Sequence, residues 1–435
     1  MKFSVLVVAA IVMVASYALV NYNRGATWVG TKQLGAAGRY TFAHGIAVDA
    51  NGNVYVAGYT NGGLDGNTTA GTEDLFFAKF DSSGSHVRTT QAGTMRATTV
   101  ARGVVVDAGG DLYVAGWTGG ALDGNTLKGE RDSFLMKYDS SGTRVYTEQT
   151  GTTETDTAAN GVVVDAGGNA YVVGWTSGGL DKDTYPGTHD SFIIKYNPSG
   201  AKVYMRQTGT AGKNVFASGV TADARGNVYV TGKTYGGLDG KKLMGKLDAF
   251  LMKYDPSGTK VYTEQTGTAG KNTLATGVAV DANGNVYVTG NTNGGLDGNK
   301  LIGTTDSFLM KYDPSGAKVF TKQIGTPGIE TVANGVAVDA GGMVYVAGNT
   351  NGGLDGKILI GTTYAFLMKH DSSGTKVYTR QLGATKKNTY ASGVAVDANG
   401  NVYVTGYTDG GLDGNSLIGI EDYFVTKYDP AGNKQ

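Results

Sequence analysis

The chain has 435 residues, with 37 Lys plus Arg against 37 Asp plus Glu and therefore no formal net charge; that balance argues against a protein that grips nucleic acid through phosphate contacts. It has no Cys, which excludes disulfides, thiolate metal sites and a Cys nucleophile. Gly numbers 71 and Pro only 6, a glycine excess without the proline of collagen-like or Pro-rich disordered chains.

The N-terminal stretch differs from everything after it. Lys2 precedes a largely apolar run from Phe3 to Val20, with small residues at Ser16 and Ala18. This pattern predicts residues 1–20 to be a secretory signal peptide with a mature start near Leu19. The alternative is a retained hydrophobic helix, since 18 residues reach the length needed to span a membrane. Residues 3–20 would then serve as a membrane anchor or assembly arm, and residues 21–26 read as a linker.

From residue 27 onward one unit recurs. The Asp of Leu-Asp stands at Asp65, Asp123, Asp181, Asp239, Asp297, Asp355 and Asp413, and Gln at Gln33, Gln91, Gln149, Gln207, Gln265, Gln323 and Gln381. Every step is 58 residues, without an insertion. Such a period marks a repeat architecture. Each unit reads as four strands, A to D. "GVAVDANGNVYVTG" (277–290) is two β-rich runs about a turn, and "DSFLMKYDPSGAKVFTKQIG" (306–325) is a second hairpin. Asp313-Pro314-Ser315-Gly316 fits a type I turn. Strand A (Gly-Val-Ala-Val) is apolar on both faces and suits a buried inner position. Strand D (Lys-Val-Phe-Thr-Lys-Gln) is alternating and charged, which suits an outer edge.

These units predict an all-β fold, a seven-bladed β-propeller of four-stranded blades occupying residues 27–435. A solenoid is the rival, but it requires polar capping repeats, and the units carry none. The register of the ends favours the ring. "TWVGTKQLG" (27–35) aligns with "TKVYTEQTG" (259–267) and is a D strand, whereas the chain finishes after a C strand and its turn. The N-terminal strand is therefore expected to complete the last blade and close the ring, with Trp28, Val29 and Leu34 burying apolar surface.

The repeat "GVAVDANGNVYVTG…DSFLMKYDPSGAKVFTKQIG" resembles the bacterial β-propeller repeat family (SBBP repeats), over about residues 27–435. More loosely, its "GVAVDANGNVYV" half is similar to NHL-type propeller repeats. The resemblance implies a propeller with strand A innermost and a secreted or cell-surface setting, and it supplies no catalytic residues.

Strand parity puts the tight A–B and C–D turns on one face and the longer B–C and D–A connections on the other. The D–A segments vary most between units, as in "AAGRYTFA", "TTETDTAAN" and "ATKKNTYAS". Variable segments on a rigid scaffold are where binding concentrates, so the long-loop face is the expected binding face. Gly-Gly-Leu-Asp-Gly in the B–C connection reads as turn chemistry, with Leu a plug at the blade end. A calcium loop at Asp49–Asn53 is the competing reading. The glycine is misplaced for it, and Thr60 stands where a bidentate Glu is needed; no metal and no cofactor are expected.

Catalysis finds little footing. His44, His86, His189 and His370 occupy unrelated repeat slots, with His44 and His189 read as loop positions, and no triad or His-carboxylate cluster follows from the spacing. One slot breaks the sevenfold symmetry. After the Gly near the end of strand B stand Tyr59, Trp117, Trp175, Lys233, Asn291, Asn349 and Tyr407. The aromatics Tyr59, Trp117, Trp175 and Tyr407 are neighbours around a closed ring and are the candidate binding residues, for sugar stacking or for docking a protein. The expected function is non-enzymatic: a secreted or surface interaction module, perhaps of an extracellular fibre, with a protein partner, self-assembly or a surface glycan as its target. A carbohydrate-binding propeller is the alternative and a glycan-active enzyme the third reading.

Overall fold

The computed structural model describes residues 27–180, 187–357, 359 and 361–435. The expectations for the segment 1–26 and for Asp181 lie outside these residues. The strands form seven antiparallel four-stranded sheets. In blade 1, strand A is Thr41–Val48, B is Val54–Thr60, C is Asp74–Phe80 and D is His86–Ala92. Each A strand packs against the A strands of the blades on either side, and that of blade 7 packs against that of blade 1, so the ring closes.

Closure follows the register read from the chain ends. Lys32–Leu34 pairs antiparallel with strand C of blade 7 (Asp422–Tyr428), matching Lys32 with Val425, Gln33 with Phe424 and Leu34 with Tyr423. Trp28 is 4% exposed, and its ring lies 5.6 Å from Tyr403 and 6.3 Å from Phe80, bridging blades 7 and 1. Val29 corrects the expectation: it is 71% exposed, because it lies ahead of the paired segment Lys32–Leu34, outside any strand and with no neighbour laid over it.

Strand A is longer than the sequence suggested. It begins four residues before the Gly-Val/Ile run, so Thr41–Ala43 and their counterparts are strand and not loop. The cause is a β-bulge. Ala43 pairs with Gly58 and Gly45 with Ala57, leaving residue 44 unpaired, and the same slip recurs in all seven blades. The bulge presses strand A onto strand B at one point. A Cβ on Gly58 would sit 1.8 Å from the Phe42 carbonyl oxygen, so only glycine fits there.

The repeated polar residues are scaffold. The Asp49 carboxylate accepts from the amides of Asn51 and Asn53 (both 2.9 Å), from Asn53 Nδ2 (2.7 Å) and from the Tyr55 hydroxyl (3.2 Å), so the oxygen-rich "DANGN" stretch is a side-chain-capped A–B turn. Gln91 reaches from strand D into the B–C connection. Its Oε1 accepts from Leu64 N (3.1 Å), and its Nε2 donates to Gly62 O (3.2 Å) and to Asp74 Oδ2 (3.0 Å). Leu64 is buried among residues of blades 7 and 1, the plug role expected of it.

The Asp of the motif occupies the left-handed region, at φ +50° for Asp65 and Asp297, and pairs with the first residue of strand D: Asp65 with His86 (3.0 Å), Asp123 with Arg144 (2.6 Å) and Asp297 with Lys318 (2.9 Å). His86 thus fills a cationic slot. Exposed pairs of this kind contribute little, and Asn tolerates the left-handed conformation. Asp297→Asn is therefore expected to cost under about 1 kcal/mol in urea denaturation; a much larger loss would give this Asp a role beyond the turn.

Candidate binding face

The bulge places one side chain per blade around the long-loop end of the central channel. Lower down the channel is narrow, about 180 Å³, lined by Gly45, Ile46 and their counterparts. Glycine suits the inner strand here because a Cβ on Gly45 would lie 3.0 Å from the Val104 amide of the next blade. Above it the channel widens into a cavity of about 510 Å³ lined by His44, Arg102, Asn160, Ser218, Thr276, Asn334, Ser392 and Tyr407. The first seven are the bulge residues, one from each blade.

Three of them tie blade to blade. Asn160 Nδ2 donates to Ala217 O (2.8 Å), Thr276 Oγ1 to Ala333 O (2.8 Å) and Asn334 Nδ2 to Ala391 O (2.7 Å). On the opposite side Arg102 Nη1 donates to His44 Nε2 at 3.3 Å. Arginine has no acceptor, so His44 accepts there and carries its own proton on Nδ1. Desolvation, reinforced by Arg102, pulls the His44 imidazole down to about 3. Arg102 is itself lowered by burial, with Tyr59 and Glu73 in its field, and burial raises the Glu73 carboxyl against the pull of Arg102 and a Thr98 hydrogen bond.

The four candidate aromatics all lie on this face, partly exposed, and the ring contacts gather them into two groups. Phe42 lies 5.1 Å from Tyr59 and 4.8 Å from Tyr407; Tyr40 stacks on Phe42 at 6.0 Å, His44 on Tyr59 at 5.5 Å and Tyr390 on Tyr407 at 4.9 Å. In the second group the Arg131 guanidinium stands 5.1 Å from the Trp117 ring and 5.7 Å from the Trp175 ring, held by two bonds to Asp156 (2.8 and 2.9 Å). Trp175 continues to His189 (5.1 Å) and Phe216 (5.6 Å), and Lys233 covers Phe216 at 5.3 Å. Two polar members of the same slot accept hydrogen bonds from the next strand or blade. Asn291 Oδ1 accepts from the Ala333 backbone N (2.8 Å) and Asn349 Oδ1 from the Asn334 side-chain Nδ2 (2.9 Å). Where rings are lacking, a pocket of about 280 Å³ opens between blades 5 and 6, lined by Leu274, Asn291, Thr305, Glu330 and Val332 among others.

One histidine needs correction: His44 lies within an inner strand at the channel mouth. His189 does lie in the B–C connection, just ahead of strand C, where it bridges to Asn214 of the next blade. The bulge residues, and Phe42, Phe216 and Tyr390 beside them, escaped the sequence reading. The available signal was a polar residue before the Gly of strand A in every unit, a break in an otherwise apolar run. Among the described residues no group of three or more His, Asp or Glu has the geometry to hold a metal ion.

Comparison with known proteins agrees with this architecture. The regulatory protein FlaEY of Caulobacter vibrioides is 25% identical over 378 residues, covering 74% of this chain and 38% of that protein. An uncharacterized WD repeat-containing protein, L264, of Acanthamoeba polyphaga mimivirus is 23% identical over 414 residues, covering 71% of this chain and 29% of that one. The chain thus spans about a third of the length of these relatives. Among solved structures, streptogramin B lyase superimposes with a TM-score of 0.51 at 10% identity, covering 91% of this chain and 97% of that one. A chain of the mitotic checkpoint complex gives 0.50 at 13%, covering 93% of both; at such identity both show the fold alone. The family model for the β-propeller repeat (SBBP) matches residues 29–65, 145–181, 203–239, 261–297, 319–355 and 377–413. With that sixfold match on a ring of seven four-stranded blades, the chain belongs to the SBBP β-propeller repeat family.

Proposed function

We propose that this propeller is a non-enzymatic interaction module, secreted or held at the cell surface, that binds through its long-loop face. One observation carries the reading. The residues that cap the A–B turns and pin the B–C connections repeat sevenfold, whereas those at the channel mouth and along the aromatic groups differ from blade to blade. Scaffold positions are constrained alike in each copy; a surface that recognises something asymmetric has to break that symmetry. A glycan is the second reading, favoured by partly exposed rings of Tyr59, Tyr407, Trp117 and Trp175, since sugar faces stack on aromatic rings. The apolar run at 3–20 supports export or anchoring, and mass spectrometry of the mature N-terminus tests that part.

The double variant Trp117→Ala/Trp175→Ala tests the face. With its fold verified by circular dichroism, it is expected to lose at least about tenfold in either glycan-array signal or self-association by sedimentation velocity, the scale of losing one buried aromatic anchor. Wild-type behaviour in both measurements would reduce these rings to packing.

A further inference from the structure

The channel-mouth cavity has a chemical polarity that the rest of the face lacks. Of the bulge residues, Asn160, Thr276 and Asn334 spend a donor on the neighbouring blade. The Ser218 and Ser392 hydroxyls make no hydrogen bond within the described chain and line the cavity. Arg102 is the one side chain of fixed charge in the lining. Among the described residues it has no ion-pair partner within 4 Å, the Glu73 carboxyl acting on it only from farther off; of its five N–H donors one is directed at His44 Nε2. Beside it, Tyr407 lines the wall and Tyr59 stacks on His44 at 5.5 Å. A desolvated guanidinium with free donors, hydroxyls and amides in the same lining, and a tyrosine ring at the side make a complementary set for one kind of small molecule. The cavity, at about 510 Å³, lies within the range that encloses small-molecule ligands.

We propose that the mouth binds an acidic sugar, a uronate, with its carboxylate on Arg102, its hydroxyls toward Ser218 and Ser392, and a ring face against Tyr407. The carboxylate matches the planar fork of the guanidinium, which a neutral sugar does not. The Ser218 and Ser392 hydroxyls and the tyrosine distinguish a sugar from a bare anion, which has no use for either. This inference rests on the reading of the long-loop face as a binding face and specifies its ligand.

Calorimetric titration of the full chain with D-galacturonate and D-glucuronate tests it, alongside galactose, glucose, acetate and inorganic phosphate. One uronate is expected to bind at least about tenfold more tightly than its neutral parent and than acetate or phosphate, as for a charge-assisted hydrogen bond. Arg102→Met is expected to remove that preference. Ser392→Phe, which fills the cavity from blade 7 and leaves Arg102 in place, is expected to abolish binding; it keeps the test decisive if the Arg102 variant fails to fold. Val319→Ala, on an exposed outer strand away from the cavity lining, is expected to leave uronate affinity within about twofold. No uronate binding by the wild type, equal binding of acetate or phosphate, or undiminished binding in both cavity variants would each overturn the proposal. Loss of other binding in the Trp117→Ala/Trp175→Ala variant together with no uronate binding would sink this inference while leaving the binding face intact.

Discussion

Deleting residues 27–35 is expected to lower stability in chemical denaturation by about 5 kcal/mol or more and to add association through the opened seam. The estimate begins with Trp28. Truncating a buried aromatic side chain costs about 3–5 kcal/mol, and Trp28 is buried between blades 7 and 1. Its neighbour Val29 adds nothing, being exposed. Gln33 adds polar cost. Leu412 N donates to its Oε1 (3.0 Å), and its Nε2 donates to Asp422 Oδ2 (3.0 Å) and Gly410 O (3.2 Å), so removing it strands buried partners at about 1–3 kcal/mol. The strand also covers the edge of Asp422–Tyr428, where Tyr423, Phe424 and Val425 are buried. A bared edge of that composition pairs with other chains. Trp28→Ala alone should lose about 3–5 kcal/mol in urea, and light scattering should rise only for the deletion. A deletion variant with the wild-type midpoint would mean that the seam carries no stability.

The second large effect concerns acid. His370 takes the place of Phe80, Tyr138, Tyr196, Tyr254, Tyr312 and Tyr428 in the other blades, is 2% exposed, and has no partner for Nδ1 in the described chain. Burial, with help from Lys376, pulls its imidazole from 6.5 down to about 4. Between those values the unfolded chain binds the proton and the folded chain does not, so stability rises with pH across the window and falls on acidification. At about 1.4 kcal/mol per pH unit, going from pH 7.5 to 4.5 should remove about 2–3 kcal/mol through this residue alone. His370→Tyr restores the ring found in the other blades, and Met368 stands ready for its hydroxyl as Met310 does for Tyr312 at 3.4 Å. In urea denaturation the variant should gain that same 2–3 kcal/mol over wild type at pH 4.5 relative to pH 7.5. Parallel pH profiles for the two chains would show that His370 is not held neutral.

The fold was legible because a 58-residue period without insertions counts the blades, and because the spare D strand at 27–35 answers the missing one after Asp422–Tyr428. Strand order, the closing pair and the turn role of Asp49 follow from local chemistry that repeats. The site was only half legible. Tyr59, Trp117, Trp175 and Tyr407 stood out by breaking the pattern, and all four reach the long-loop face. Arg102 and His44 did not stand out, because a bulge is a one-residue irregularity that a two-residue alternation cannot register. Their surroundings, Thr41–Ala43 and the equivalents, vary as loops do and were read as loop for that reason. Variation there reflects position at the channel mouth, not irregular backbone.

The bulge has a consequence for how such a protein changes. Residue 44 and its six counterparts stand outside the hydrogen-bond ladder, so replacing one of these side chains leaves the pairing of its blade untouched. Ser218 and Ser392 are in addition free of blade-to-blade bonds, whereas Asn160, Thr276 and Asn334 each make one and Arg102 joins His44 across blades 2 and 1. The mouth is in effect a combination lock with two freely turning dials and five partly fixed ones, whose setting can be altered one residue at a time while the housing stays the same.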